Sequence, residues 1–208
     1  MRILNLYAGI GGNRKLWEGH EITAVENVPE IAAIYQDFFP NDKVIVADAH
    51  QYLLEHFGEF DFIWSSPPCP THSRTNTFLH AQGIIRYPDM SLWQEIVFLK
   101  KWFKGKYVVE NVISYYPPFW KPQLLDRHYF WSNFDIPEFK VKREFNIANA
   151  RKSTRTTFKD NLRFLSEFHG IDLDKSIKNR LLLLRNCVYP PLGKHILDQV
   201  PPQRGAIK

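Results

Sequence analysis

After Arg2, residues 3–8 form an apolar run broken only by Asn5, so 2–8 has the pattern of a buried strand, and it leads directly into Gly9, Gly11 and Gly12. A helix is predicted to begin near Asn13, whose side chain suits an N-cap. Strand-type runs return at residues 21–27, 43–48, 61–66, 107–112 and 127–134. Helices are predicted between them: over 29–38, with Pro29 in the first turn, over 50–56, and over 91–104, where Leu92, Ile96, Leu99 and Phe103 recur at helical spacing. One more helix is predicted over 180–184 and a short closing one after the turn at 186–193, with a loose tail from residue 201.

Alternating strands and helices over residues 1–134 predict an α/β protein built on a doubly wound, Rossmann-like sheet. Such sheets bind ligands at the carboxyl ends of their strands, so Gly9, Glu26, Asp48, Cys69 and Glu110 are expected along one edge. Burying a lone carboxylate is costly, which places Glu110 at a strand tip rather than in the core. Glu26 itself fits either an acid for ribose hydroxyls or an exposed cap of the next helix.

Two stretches break the pattern. Residues 74–89 have little periodicity, contain Gly83 and Pro88, and exceed an ordinary connection; a mobile closing element and plain disorder both fit. Residues 135–178 mix aromatic and basic side chains without a strong period, and predict a small basic insertion.

Charge sharpens that second stretch. The chain of 208 residues carries a net +5, and residues 136–180 hold eleven Lys/Arg against six acids, the whole excess. A local positive field suits a polyanion such as nucleic acid, as it also suits a solvated charged face. Lys140, Lys142, Arg143, Arg151, Lys152 and Arg155 are the candidate phosphate contacts. The length allows one full core with a small appended module. No membrane span or secretory signal is visible, and two cysteines, Cys69 and Cys187, make no disulfide framework, so a cytoplasmic protein without a membrane partner is expected.

The candidate chemistry lies in residues 61–73. The strand must end at Pro67 and Pro68, which have no N–H to donate, so Cys69 stands at a strand tip on a stiff platform. Alone, it fits a nucleophile or a small buried apolar residue. His72 fits a charged support for a thiolate or an exposed loop histidine. Further metal ligands at suitable spacing are missing, so no metal is expected.

In their order along the chain, these motifs resemble the DNA cytosine-5 methyltransferase family. The residues that carry the resemblance are Tyr7-Ala8-Gly9-Ile10-Gly11-Gly12, Glu26, Asp48, Pro67-Pro68-Cys69 with Ser73, Glu110-Asn111-Val112, Gln123 with Arg127, and Asn186-Cys187-Val188. The resemblance implies a methyltransferase sheet, with residues 1–134 and 179–208 as the catalytic domain and 135–178 as a reduced target-recognition region. It implies S-adenosylmethionine as cofactor, S-adenosylhomocysteine as product, and contacts from Tyr7, Gly9, Ile10, Gly12, Glu26, Asn27, Asp48, Ala49, Pro68, Leu92, Asn186 and Val188. It makes Cys69, Glu110 and Arg127 catalytic, and puts Ser73 and Gln82 on the nucleic acid. Three features depart from the family pattern: Leu125 where a second arginine is common, Pro70 after the cysteine, and the shortness of the recognition region.

Cytosine carbon 5 is a poor nucleophile until a thiolate adds at carbon 6, which is the chemical reason for Cys69. The target base must leave the stack to be reached. Double-stranded DNA is the expected partner. RNA substrates, a second polypeptide that completes the cleft, and a silent binding module are the alternatives; restriction-modification, phage protection and regulation all suit such an enzyme.

Overall fold

Unbroken apolar runs require strands covered on both faces, and the computed structural model, which describes residues 1–141 and 158–201, has them in the middle of its sheet. The described strands are β1 (Arg2–Leu6), β2 (Glu21–Glu26), β3 (Lys43–Val46), β4 (Phe62–Ser65), β5 (Lys106–Val112), β6 (Gln123–Leu125) and β7 (His128–Ser132). They lie in the order β3-β2-β1-β4-β5-β7-β6. The first five in that order are parallel, and β7 runs antiparallel to both β5 and β6.

The described helices are α1 (Pro29–Phe38), α2 (Ala49–His56), α3 (Asn76–Ala81), α4 (Ser91–Trp102), α5 (Phe158–His169), α6 (Arg180–Arg185) and α7 (Pro190–Asp198). Successive strand residues point to opposite faces. Leu4, Leu6, Ile63 and Val109 pack with Leu53 of α2 and with Leu92, Ile96 and Leu99 of α4. Ile3, Ile22, Phe62, Trp64 and Val108 pack with Trp17 and with Leu192 and Ile196 of α7. Helices on both faces of a largely parallel sheet make the doubly wound α/β fold that the alternation predicts. A third apolar cluster joins Leu165 of α5 and Leu184 of α6 to Ile10 of the glycine loop.

Several predicted elements differ. Turns, not a helix, follow Gly12. Only six residues separate Gly12 from Gly19, too few for helix propagation to offset nucleation. The Asn13 amide is also committed inward, donating to the Asn5 side chain at 2.8 Å rather than capping. Arg14 pins the turns by a two-pronged bond to Asp42, at 2.7 and 2.9 Å. The stretch 74–89 contains α3, and the aperiodic basic stretch contains α5, whose apolar positions are diluted by charges. The predicted strand over 127–134 begins at His128 and is paired with β6, a three-residue strand too short for a pattern. Arg127 therefore lies in the hairpin turn beside Asp126, whose φ is 53°. No described helix is long and apolar enough to cross a membrane.

Candidate active site

The chain leaves β1 through Tyr7, at φ 54°, a left-handed setting that a bulky side chain rarely adopts. Gly11 follows at φ 81°, where an added Cβ would lie 2.2 Å from the Phe39 ring and 2.9 Å from the Tyr35 ring. A Cβ on Gly12 would lie 2.8 Å from both the Cys187 Cβ and the Val188 carbonyl, so the first and last motifs of the chain are packed against each other. Gly9, also left-handed, borders open space: nothing lies within 4 Å of an added Cβ. Glu26, buried at the tip of β2, accepts from the Gly9 N–H and the Val28 N–H, each at 3.0 Å. Each carboxylate oxygen keeps acceptor capacity, and the open space at Gly9 is what an added side chain would fill. The cradle therefore fits a nucleoside-bearing cofactor whose hydroxyls seek an acid.

Asp48 caps α2, accepting the Gln51 N–H at 2.8 Å, with Ala49 buried behind it. Asn27 and Pro68 are exposed, as is Asn186 at the C-terminal end of α6. Leu92, Ile10 and Val188 have their side chains in apolar clusters.

The second half of the site is a stitched loop. Buried Asn111, at the end of β5, donates through Nδ2 to the Pro67 carbonyl at 2.9 Å. The Cys69 carbonyl accepts the N–H groups of His72 at 3.0 Å and Ser73 at 3.2 Å. Further along, the Arg74 N–H donates to the Ile113 carbonyl and the Tyr115 N–H to the His72 carbonyl. The loop after the cysteine is thus zipped to the segment after Glu110-Asn111-Val112. Burial, and to a smaller extent the Glu110 carboxylate, push the Cys69 thiol above its ordinary range. Burial has a larger effect on Cys187, which is pushed up to about 12.

Glu110 lies not at the strand tip expected for it but within β5, two residues before its end, opposite Phe130 and largely buried; the cost of burying its carboxyl is eased by His128, whose Nε2 stands 3.6 Å from its Oε1. Exposed Arg127 lines a groove of about 1030 Å³ together with Ser73, Arg74, His128 and Arg185. Leu125, in place of an arginine, is a core residue beside Phe130, a site unsuited to a charge. Gln82 is exposed just after α3, and exposed Lys140 stands 3.6 Å from Glu138. Lys142, Arg143, Arg151, Lys152 and Arg155 lie outside the described residues.

His72 differs from both expectations. It is 1% exposed, its Nδ1 is 2.6 Å from the Tyr116 hydroxyl, and burial lowers its pKa. Zipping of the loop carries the ring inward, where burial disfavours its charged form.

One residue the sequence reading missed is Glu95 on α4, fully buried, which accepts hydrogen bonds from the hydroxyls of Tyr7 and Ser65. Its signal was present: it falls between Leu92 and Ile96 on the apolar stripe of α4, where an acid needs partners.

A family model for C-5 cytosine-specific DNA methylases matches residues 1–114. No curated protein matches the chain. Among solved structures, a conserved hypothetical protein of Streptococcus pyogenes is 18% identical, with 63% of this chain and 83% of that one covered at a TM-score of 0.40. A SAM-dependent methyltransferase of Agrobacterium tumefaciens is 14% identical over 54% of this chain and 38% of its own, TM-score 0.38. A DNMT2 variant of Spodoptera frugiperda is 24% identical over 53% and 35%, also with a TM-score of 0.38. With its glycine loop, Pro-Pro-Cys loop and Glu-Asn-Val strand end all within the matched residues, the chain belongs to the C-5 cytosine-specific DNA methylase family.

Proposed function

We propose that this chain methylates carbon 5 of a flipped cytosine in double-stranded DNA through a transient covalent bond to Cys69. The observation that carries this reading is the convergence of Cys69 and Glu110 from separate strands, with Asn111 tying the Pro67 carbonyl to the strand that bears Glu110. Tyr7, Gly9, Glu26 and Asp48 would hold S-adenosylmethionine, which when bound supplies an electrophilic methyl group.

In this mechanism the Cys69 thiol gives up its proton to solvent as the target base enters, the thiolate sulfur adds to carbon 6 of that base, and the electron pair displaced from the 5,6 double bond reaches the ring system. Glu110, protonated, donates its proton to ring nitrogen 3, so that charge does not build up there. Arg127, in the hairpin turn, donates to oxygen 2 and supports the same polarisation. Once carbon 5 carries the new methyl group, a base takes its remaining proton. The double bond re-forms, the bond to sulfur breaks, and the nitrogen 3 proton returns to Glu110. The raised thiol pKa means that Cys69 waits largely protonated, which suits a nucleophile ionised only when a base is in place.

The test is mass spectrometry of the protein incubated with S-adenosylmethionine and duplex DNA carrying 5-fluorocytosine, whose fluorine cannot leave as a proton does. A covalent adduct that disappears in Cys69→Ser supports the reading. If duplex DNA gives no adduct although S-adenosylhomocysteine binds, the duplex assignment fails; an adduct on tRNA, or one that needs a second polypeptide, would then identify the substrate or the missing partner.

A further inference from the structure

Glu95 is a fully buried carboxylate with side-chain partners from three other parts of the edge. Tyr7, from the end of β1, donates its hydroxyl to Oε1. Ser65, the last residue of β4 and four before Cys69, donates to Oε2. His50, in the first turn of α2 and two residues after Asp48, places Nδ1 3.3 Å from Oε1. One side chain on α4 thus links the glycine loop, the segment of Asp48 and the strand that leads to the cysteine.

Two features show that the cluster serves more than packing. Tyr7 is held in the left-handed region, a setting that persists in a bulky residue only when its surroundings enforce it. And with Nδ1 held by Glu95, the buried Nε2 of His50 has no partner among the described residues. An orphaned buried ring nitrogen beside a ligand-binding edge calls for a partner from the ligand.

We propose that Glu95 is the positioning residue of the cofactor cradle: it holds Tyr7 in its left-handed setting and turns the His50 ring so that Nε2 forms a hydrogen bond with a polar group of the bound cofactor. This rests on the cofactor reading above. Asp48, near His50, and Asp89, whose charge reaches Tyr7, are the other acids at this corner, and neither bonds to Glu95.

The test is calorimetric titration of the full chain with S-adenosylhomocysteine, for wild type, Tyr7→Phe, His50→Ala, Glu95→Ala, Glu95→Gln and the double variant Tyr7→Phe/Glu95→Ala. Loss of one buried hydrogen bond is expected to weaken binding about tenfold in Tyr7→Phe and in His50→Ala. Glu95→Ala is expected to weaken it at least as much on the wild-type background and less on the Tyr7→Phe background, because the two act through one contact. Glu95→Gln should bind within about threefold of wild type, since its amide oxygen replaces Oε1 and the Ser65 hydroxyl can turn to accept. In turnover, KM for S-adenosylmethionine should rise while kcat holds. Wild-type affinity in Tyr7→Phe or His50→Ala, or equal losses from Glu95→Ala on both backgrounds, would overturn the proposal. Should Glu95→Ala fail to fold, the Tyr7 and His50 variants still decide it. A wild-type chain that binds no S-adenosylhomocysteine sinks the cofactor reading and this proposal together, whereas tight binding that no variant disturbs sinks this proposal alone.

Discussion

The Cys69 thiol sits where burial and the Glu110 carboxylate both disfavour its ionisation. Raising a thiol pKa leaves less thiolate at neutral pH, so alkylation by iodoacetamide should climb with pH through a midpoint above that of an ordinary cysteine. Replacing Glu110 with Gln removes one of the two causes, and the midpoint should fall. A midpoint that stays in place in Glu110→Gln would mean that burial alone sets the thiol. The signs for two histidines are opposite. Burial lowers the His72 pKa, so its contribution to stability is present above the ordinary histidine value and is lost as pH falls through the folded one. Glu95 raises that of His50, whose contribution is present below the ordinary value and is lost as pH rises through the folded one.

Within the glycine loop, neighbouring positions answer different demands. Gly11 is fixed by close approach of the Phe39 and Tyr35 rings as well as by its φ. Gly11→Ala should therefore cost about 1–2 kcal/mol for the left-handed backbone and about 1–3 kcal/mol for overpacking. Gly9→Ala meets no neighbour and should cost only the backbone amount, about 1–2 kcal/mol, while its methyl group intrudes on the open space of the cradle. Thermal unfolding of both variants and titration with S-adenosylhomocysteine separate the two: Gly11→Ala should lose more stability, Gly9→Ala more affinity. Equal melting temperatures would contradict the close approach at Gly11. This element was legible as a glycine turn after a strand, since Gly-x-Gly-Gly and the apolar run are local features. The helix predicted after it was not, because Asn13 and Arg14 are held by Asn5 and Asp42, partners that local patterning does not reveal.

Across the whole molecule, the charge excess lies in residues 136–180, and a polyanion bound there should leave as salt rises. Replacing Arg151, Lys152 and Arg155 with alanine should make the plot of log affinity against log salt shallower by about 0.9 for each phosphate contact removed. An unchanged slope, measured by fluorescence anisotropy with labelled duplex, would take those residues off the nucleic acid. The sequence by itself determined the alternation of strands and helices, the edge positions Gly9, Glu26, Asp48 and Cys69, and the family, because apolar period, proline placement and motif order are all properties of the chain read in one direction. Only the tertiary structure decided that His72 is buried, where a charged ring is disfavoured, and that Leu125 is core. It likewise decided that Glu95 joins Tyr7, His50 and Ser65. Each of those depends on contacts between residues far apart in sequence, which burial and hydrogen-bond satisfaction fix only once the sheet has brought its strand ends to a common edge.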